Sequence, residues 1–414
     1  MSDCISVPLD LEDLDVVSSS LVKGVLEAEV VSTLPRACVH CGSVDVIGHG
    51  RCRRRLRHLR FGYPVVLVWD QRRHKCRDCG RTSRERHPEI LGRKRVTARF
   101  RDRLAEDACN RPFSDVAAAE RVSWWRVADA FDAAATRHDP FTGPPPKVLS
   151  IDESAFRSRS RYHTVLSAPG QRRVLELVEG RSRDSAQRVL GLIPQPWREE
   201  IETVVVDMFW PFRKAVADVL PHARVVADKF HVIRSVNAAA QRVRIRHGRK
   251  VTVVGRDGGL ARQHNPRFDP GVWRARWLFM RGRHSLSPSQ RASLDKLLAR
   301  HPEVGAAWRL KEAFADIYES ADRAEAGRRF DDWMRRVEGS GLSELAATAR
   351  VVDSWREQIL NYFDDRQTNA FAEGITNKIK VMKRRGYGHR RSDRYRHKVQ
   401  HLTTHRPAHP PLIA

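Results

Sequence analysis

The spacing of hydrophobic positions changes period along the chain, and each change marks a different kind of element. Residues 1–35 mix acidic and aliphatic residues (Leu9, Leu11, Leu14, Val16, Val17, Leu21, Val22) before VLEAEVVSTLP, a leader of helix or strand that runs into the next module. Residues 36–90 turn to short strand-like pieces, RRLRHLRFGYPVVLVWDQRRHKC among them, and predict a small β-rich module. Over 95–140 the helical period takes over in TARFRDRLAEDACN, the short FSDVAAAE and SWWRVADAFDAAATRH, with Ser123 suited to cap the third helix. Gly143-Pro144-Pro145-Pro146 breaks that pattern as a linker.

Beyond the linker, residues 147–246 alternate. KVLSIDE, YHTVLSA and RVLELVEG read as strands, DSAQRVLGLI as a helix, TVVVDMF as a strand, PFRKAVADVL as a helix and ARVVADKF as a strand, before a long helix from about His231 to Arg246. That order predicts an α/β sheet of mixed direction. Residues 247–356 carry Ala, Arg, Leu and Trp at helical spacing and predict an all-helical insertion. Its tryptophans, Trp273, Trp277, Trp308, Trp333 and Trp355, are expected in its core, with base stacking the lesser alternative. Residues 357–390 return to a helix in TNAFAEGITNKIKVMKRRGYG, and 391–414 form a basic, His-rich tail with the composition of partial disorder.

Charge changes the picture most. With 76 Lys and Arg against 50 Asp and Glu, the formal net charge is +26, and the basic residues run the whole length of the chain. A high-GC genome accounts for part of the arginine excess but not for that imbalance, which calls for a polyanion, DNA or RNA. The acidic N-terminus does not look like a signal peptide, and there is no run of about 18 apolar residues. The expectation is a cytoplasmic protein of the nucleoid with no membrane partner.

Seven cysteines without an export signal argue against a disulfide framework. Cys38-x-x-Cys41 and Cys76-x-x-Cys79, each followed by glycine, instead have the spacing of knuckles that hold one structural Zn2+ between four thiolates. The long stretch between the pairs leaves His40, His49 or His74 open as a replacement for one cysteine, while Cys4, Cys52 and Cys109 read as ordinary thiols. FSDVAAAERVSWWRVADAF has a helix-turn-helix rhythm, with Ser123, Trp124, Trp125 and Arg126 opening the helix that would enter a major groove; plain helix packing is the alternative.

Three acids sit in settings that would hold them rigidly. Asp152 and Asp207 end β-branched runs, and Glu373 lies in a helical stretch followed by Lys378, Lys380, Lys383, Arg384 and Arg385. Carboxylates suit Mg2+ or Mn2+, and in-line attack on a phosphodiester uses a pair of such ions roughly 4 Å apart, so two per site are expected. Glu153 should point to the opposite side of its strand from Asp152. Asp228 and His231 read as supporting residues that line the site or orient its side chains.

These passages together resemble the bacterial insertion-sequence transposases of the ISL3 type. The resemblance rests on the two CxxC-Gly pairs, the helix-turn-helix near Ser114 to Phe131, SIDE at Asp152, VVVDMFWPF at Asp207, ADKFHV at Asp228 and TNAFAEGITNKIKVMKRRGYG at Glu373, and it covers nearly all of the chain past residue 35. It implies a ribonuclease-H-like catalytic domain interrupted by a helical insertion, with Asp152, Asp207 and Glu373 as the metal-binding Asp-Asp-Glu triad. It implies binding to terminal inverted repeats, release of a 3′-hydroxyl at the element end by water, and attack of that hydroxyl on target DNA. Asn369 and the basic residues from Lys378 to Arg385 would then face the DNA, and the two ends would be held by a homodimer or larger assembly. A non-catalytic DNA-binding regulator derived from such an enzyme, or a nuclease that cuts without joining, are the alternatives.

Overall fold

The computed structural model describes residues 11–90, 92–157, 161–248, 251–254, 260–263, 269–386 and 391–404. The chain divides into two compact units, Met1–Asp139 with Lys380–Pro407, and Pro140–Ile379 with Ala408–Ala414.

The first unit opens with strands β1 (Leu14–Val22) and β2 (Val25–Ser32), an antiparallel hairpin turned by Lys23 and Gly24, both at positive φ. β3 (Val46–Phe61), β4 (Tyr63–Cys76) and β5 (Thr82–Arg84) complete a sheet of order β1-β2-β4-β3, with β5 on β4. The expected separate leader over 1–35 is therefore not separate. Leu26, Ala28 and Val30 alternate inward along β2, and their face closes over Leu56, Val65, Leu67 and Trp69, so β2 is part of the core of the module that carries the CxxC pairs. Helices α1 (Ala98–Asn110), α2 (Phe113–Glu120) and α3 (Trp124–Ala135) build a second core in the same unit around Phe100, Leu104, Val127 and Phe131. Thr97 starts α1 by accepting a hydrogen bond from the Phe100 amide.

The second unit contains the mixed sheet. β6 (Val148–Arg157), β7 (Arg161–Ala168) and β8 (Arg173–Glu179) run as an antiparallel meander; α4 (Arg183–Gly191) and α5 (Gln195–Glu199) lead to β9 (Thr203–Val206), and α6 (Trp210–Val219) leads to β10 (Arg224–Ala227). The strand order is β10-β9-β6-β7-β8, with β6, β9 and β10 mutually parallel. β9 is buried at all four positions of Thr-Val-Val-Val, as a central parallel strand covered on both faces must be.

α7 (Lys229–Gly248) follows and packs against later helices of the insertion. The insertion is not all-helical: it begins with an antiparallel hairpin of β11 (Val251–Val254) and β12 (Leu260–Gln263). Val251, Thr252, Val253 and Val254 are strand formers, but a strand that short carries almost no periodic signal. Helices α8 (Pro270–Arg274), α9 (Arg276–Met280), α10 (Pro288–Arg300), α11 (Pro302–Ile317), α12 (Arg323–Gly339), α13 (Ser343–Asp353), α14 (Arg356–Leu360) and α15 (Tyr362–Asp365) follow. Trp333 and Trp355 are core residues as expected, whereas Trp273 and Trp277 are exposed, at 50% and 72%.

α16 (Ala370–Arg385) carries Glu373, and α17 (Ser392–Thr404) closes the first unit. The predicted tail over 391–414 is thus a packed helix as far as Thr404. Tyr395, Lys398 and Val399 are buried, Lys398 donates to the Arg111 carbonyl, and Arg394 pairs with Asp132. The many Arg and His residues hide a buried face of Tyr395, Lys398, Val399, Gln400 and His401.

Candidate active site and metal centres

The register of the mixed sheet brings the acids together. Ile151 of β6 pairs with Val206 of β9, and Val206 pairs with Ala227 of β10. The residues that follow are Asp152, Asp207 and Asp228, so one row, within β6 and just past the carboxyl ends of β9 and β10, carries three carboxylates spaced by an interstrand distance of about 4.8 Å. Such a row needs compensation.

His231, in the first turn of α7, supplies part of it. Its Nδ1 lies 2.8 Å from Asp228 Oδ2 and 2.9 Å from Asp207 Oδ1. Of these two contacts the one to Asp228 has hydrogen-bond geometry, and Asp207 Oδ1 is buried without a hydrogen-bond partner. The Asp207 and Asp228 carboxylates push the imidazole up to about 10. Burial, and then the charge of Asp207, push the Asp152 carboxyl up to about 6.

α16 meets this row. Thr376 donates from Oγ1 to Asp152 Oδ2 at 2.9 Å, and the Glu153 amide donates to Asp152 Oδ1 at 2.6 Å. Glu373 stands one helical turn before Thr376 on the same helix; its side chain lies outside the described residues. Asn369, expected to face DNA, is instead 3% exposed: its side chain bonds to Ser150 of β6, and its amide donates to Asp228 Oδ1 at 3.4 Å. Glu153 turns away from the row as strand alternation requires and faces Arg181 at 3.4 Å. Sequence reasoning missed Thr376 and Ser150. The offset of Thr376 from Glu373, one turn of helix, was the available signal.

The donor set fits a hard divalent ion. Ligand atoms of Asp207, Asp228 and His231 all lie within 4.8 Å of one another, and the donorless Asp207 oxygen is an acceptor that a cation would satisfy.

The second cluster is sulfur. Cys38 Sγ lies 3.6 Å from Cys79 Sγ, Cys41 Sγ lies 3.6 Å from Cys76 Sγ, and all four are within 4.8 Å of one another. Tetrahedral zinc with Zn–S bonds near 2.3 Å requires sulfurs about 3.8 Å apart, so the thiols are already at ligand spacing. Gly42 and Gly80 take the positive φ values, 74° and 68°, that reverse each knuckle. Amides of Cys41 and His40 hold the Cys38 thiol down at about 7. The histidine alternatives fall away: His40, His49 and His74 are not in the cluster, and His74 is buried in β4. Cys109 is a buried thiol bonded to the Ala105 carbonyl, and Cys4 lies outside the described residues.

α2 and α3 are joined by Arg121, Val122 and Ser123, with Arg121 at a φ of 49°. Ser123 occupies the N-cap position of α3 without a side-chain capping bond. Trp125 is 73% exposed, whereas Trp124 packs on Phe113 and under Arg394; Arg126 is half-buried. On α16, Lys378, Lys380, Arg384 and Arg385 are exposed and Lys383 is partly buried. Among the described residues no helix is long and apolar enough to cross a membrane.

Residues 149–399 match the family model of ISL3 transposases, and this chain belongs to that family. Over 361 residues, 85% of each chain, it is 30% identical to the transposase for insertion sequence element IS1001 of Bordetella parapertussis.

Proposed function

We propose that this insertion-sequence transposase cleaves DNA at the ends of its element and joins them to target DNA at the Asp152, Asp207 and Glu373 site. The observation that carries the reading is the register row of Asp152, Asp207 and Asp228 with one buried carboxylate oxygen lacking a donor. The order β10-β9-β6-β7-β8, with β7 antiparallel to β6 and to β8 and with β6, β9 and β10 mutually parallel, supports a ribonuclease-H-like core.

In this reading Asp152, Asp207 and Glu373 hold Mg2+ or Mn2+, two ions per site. Bound there, such ions supply Lewis-acid polarisation of the scissile phosphate. Asp228 and His231 are positioning residues: the hydrogen bond between His231 Nδ1 and Asp228 fixes the imidazole beside Asp207. Thr376 and Asn369 anchor the start of α16 to β6 and to Asp228, which brings Glu373 to the row. The Cys4 zinc module and the α2–α3 pair recognise the terminal inverted repeats, with Trp125 and Arg126 at the DNA. Lys378, Lys380, Lys383, Arg384 and Arg385 contact the ends, and a homodimer or larger assembly holds two ends together.

The test is a strand-transfer assay with purified protein, Mg2+ and duplexes carrying the element's own ends. Wild-type protein is expected to yield joined products, and Asp207→Ala to bind the ends but join none. Cleaved ends that are never joined would indicate a nuclease, and end binding without cleavage by the wild type a regulator.

A further inference from the structure

The first unit holds a cleft of about 1390 Å3, larger than the roughly 300–1,000 Å3 of a small-molecule pocket. It lies along β3, β4, β5 and the segment that follows, and none of the four zinc-site cysteines lines it. Its lining is dominated by guanidinium groups. Arg53 and Arg55 are paired across the sheet with Glu29 and Glu27, but Arg84, Arg86, Arg93 and Arg95 are exposed and form no ion pair with an acid among the described residues.

Glu85 is the one acid of that lining, and it is already occupied: Arg72 donates to it from its amide at 2.7 Å and from Nε at 2.6 Å. Arg54 is fixed in place, its guanidinium 5.8 Å from the Trp69 ring centroid and its Nη2 bonded to the Lys94 carbonyl at 2.9 Å. Burial, and then the neighbouring charge of Arg84, depress the Arg54 pKa, so the cations are close enough to repel one another. One further lining group, the indole Nε1–H of Trp69, is a buried donor without a hydrogen-bond partner. An unsatisfied buried donor beside crowded, uncompensated cations marks a place where an anion belongs.

We propose that this cleft grips the sugar-phosphate backbone of DNA as a sequence-independent contact, additional to readout by α3. The inference rests on the transposase reading and deepens it. Arginine forks match phosphate oxygens bidentately, and several of them along one β-ribbon suit a polymer of phosphates better than a single small anion.

The experiment compares full-length wild type with the R84A/R86A/R93A variant. All three side chains are exposed, so their removal spares the core. Fluorescence anisotropy measures affinity for an element-end duplex and for a scrambled duplex of equal length, from about 50 to about 200 mM salt. Each lost phosphate contact should make the plot of log affinity against log salt shallower by roughly 0.9, so the variant is expected to lose about 2 to 3 in slope on both duplexes. R84K/R86K/R93K, which keeps the charge, is expected to recover most of it. Equal slopes for wild type and the alanine variant would overturn the cleft alone, as would a loss confined to the element-end duplex. A wild type that bound neither duplex would overturn the transposase reading with it.

Discussion

Replacing Thr376 by valine removes one hydroxyl and leaves a side chain of the same shape. In the structure that hydroxyl donates to Asp152 at 2.9 Å and ties α16 to β6. Asp152 is 9% exposed, so water replaces the bond poorly. A hydrogen bond to a charged group contributes about 1.5–3 kcal/mol. At 1.36 kcal/mol per factor of ten, that corresponds to a rate loss of roughly 10- to 150-fold, provided the bond is needed to hold α16 in the reactive arrangement. Single-turnover strand transfer on pre-bound ends is the assay, because it separates the chemical step from end binding, which should not change. Thr376→Ser keeps the donor and should restore most of the rate. A valine variant within about twofold of wild type, or a loss that serine does not repair, would refute the idea that this bond positions the helix carrying Glu373.

Other variants test other parts of the account. Cys79→Ser breaks the four-thiolate set, and its zinc content should fall from one ion per chain to near none by metal analysis, with weakened binding to element ends. Trp125→Ala should leave the melting temperature unchanged, since the ring is 73% exposed, yet weaken end binding about tenfold. Trp124→Ala should lower the melting temperature because it strips packing from Phe113. Lys398 is held down at about 8 by burial, against 10.5 for an exposed lysine. The folded state therefore binds fewer protons than the unfolded chain between those values, so stability should rise with pH across that window, by up to about 3 kcal/mol. Lys398→Met should abolish that rise and raise stability at pH 7, as denaturant melts at several pH values would show.

Much of the second unit is legible in the sequence because its signals are local. The β-branched runs before Asp152 and Asp207 announce buried strands, and the alternation of strands and helices over 147–246 follows from period alone. That Asp228 stands in one row with Asp152 and Asp207 depends on which strands are parallel and on their register, neither of which a single strand encodes. The burial of Asn369 was missed for a similar reason: its partners, Ser150 and Asp228, are distant in sequence. In the first unit, β2 was blurred into a leader because its inward face closes on residues more than twenty positions away, in β3 and β4. α17 reads as a tail in the sequence because its many cations mask the buried positions Tyr395, Lys398, Val399, Gln400 and His401.

The central claim is that Glu373 completes a divalent-metal site with Asp152 and Asp207. Its most direct measurement is strand transfer by Glu373→Gln, a change of charge at nearly constant shape, with Mg2+ and element-end duplexes, beside an end-binding measurement on the same protein. The account predicts end binding equal to wild type and no joined product. Joined product from the glutamine variant at a rate near wild type would contradict it.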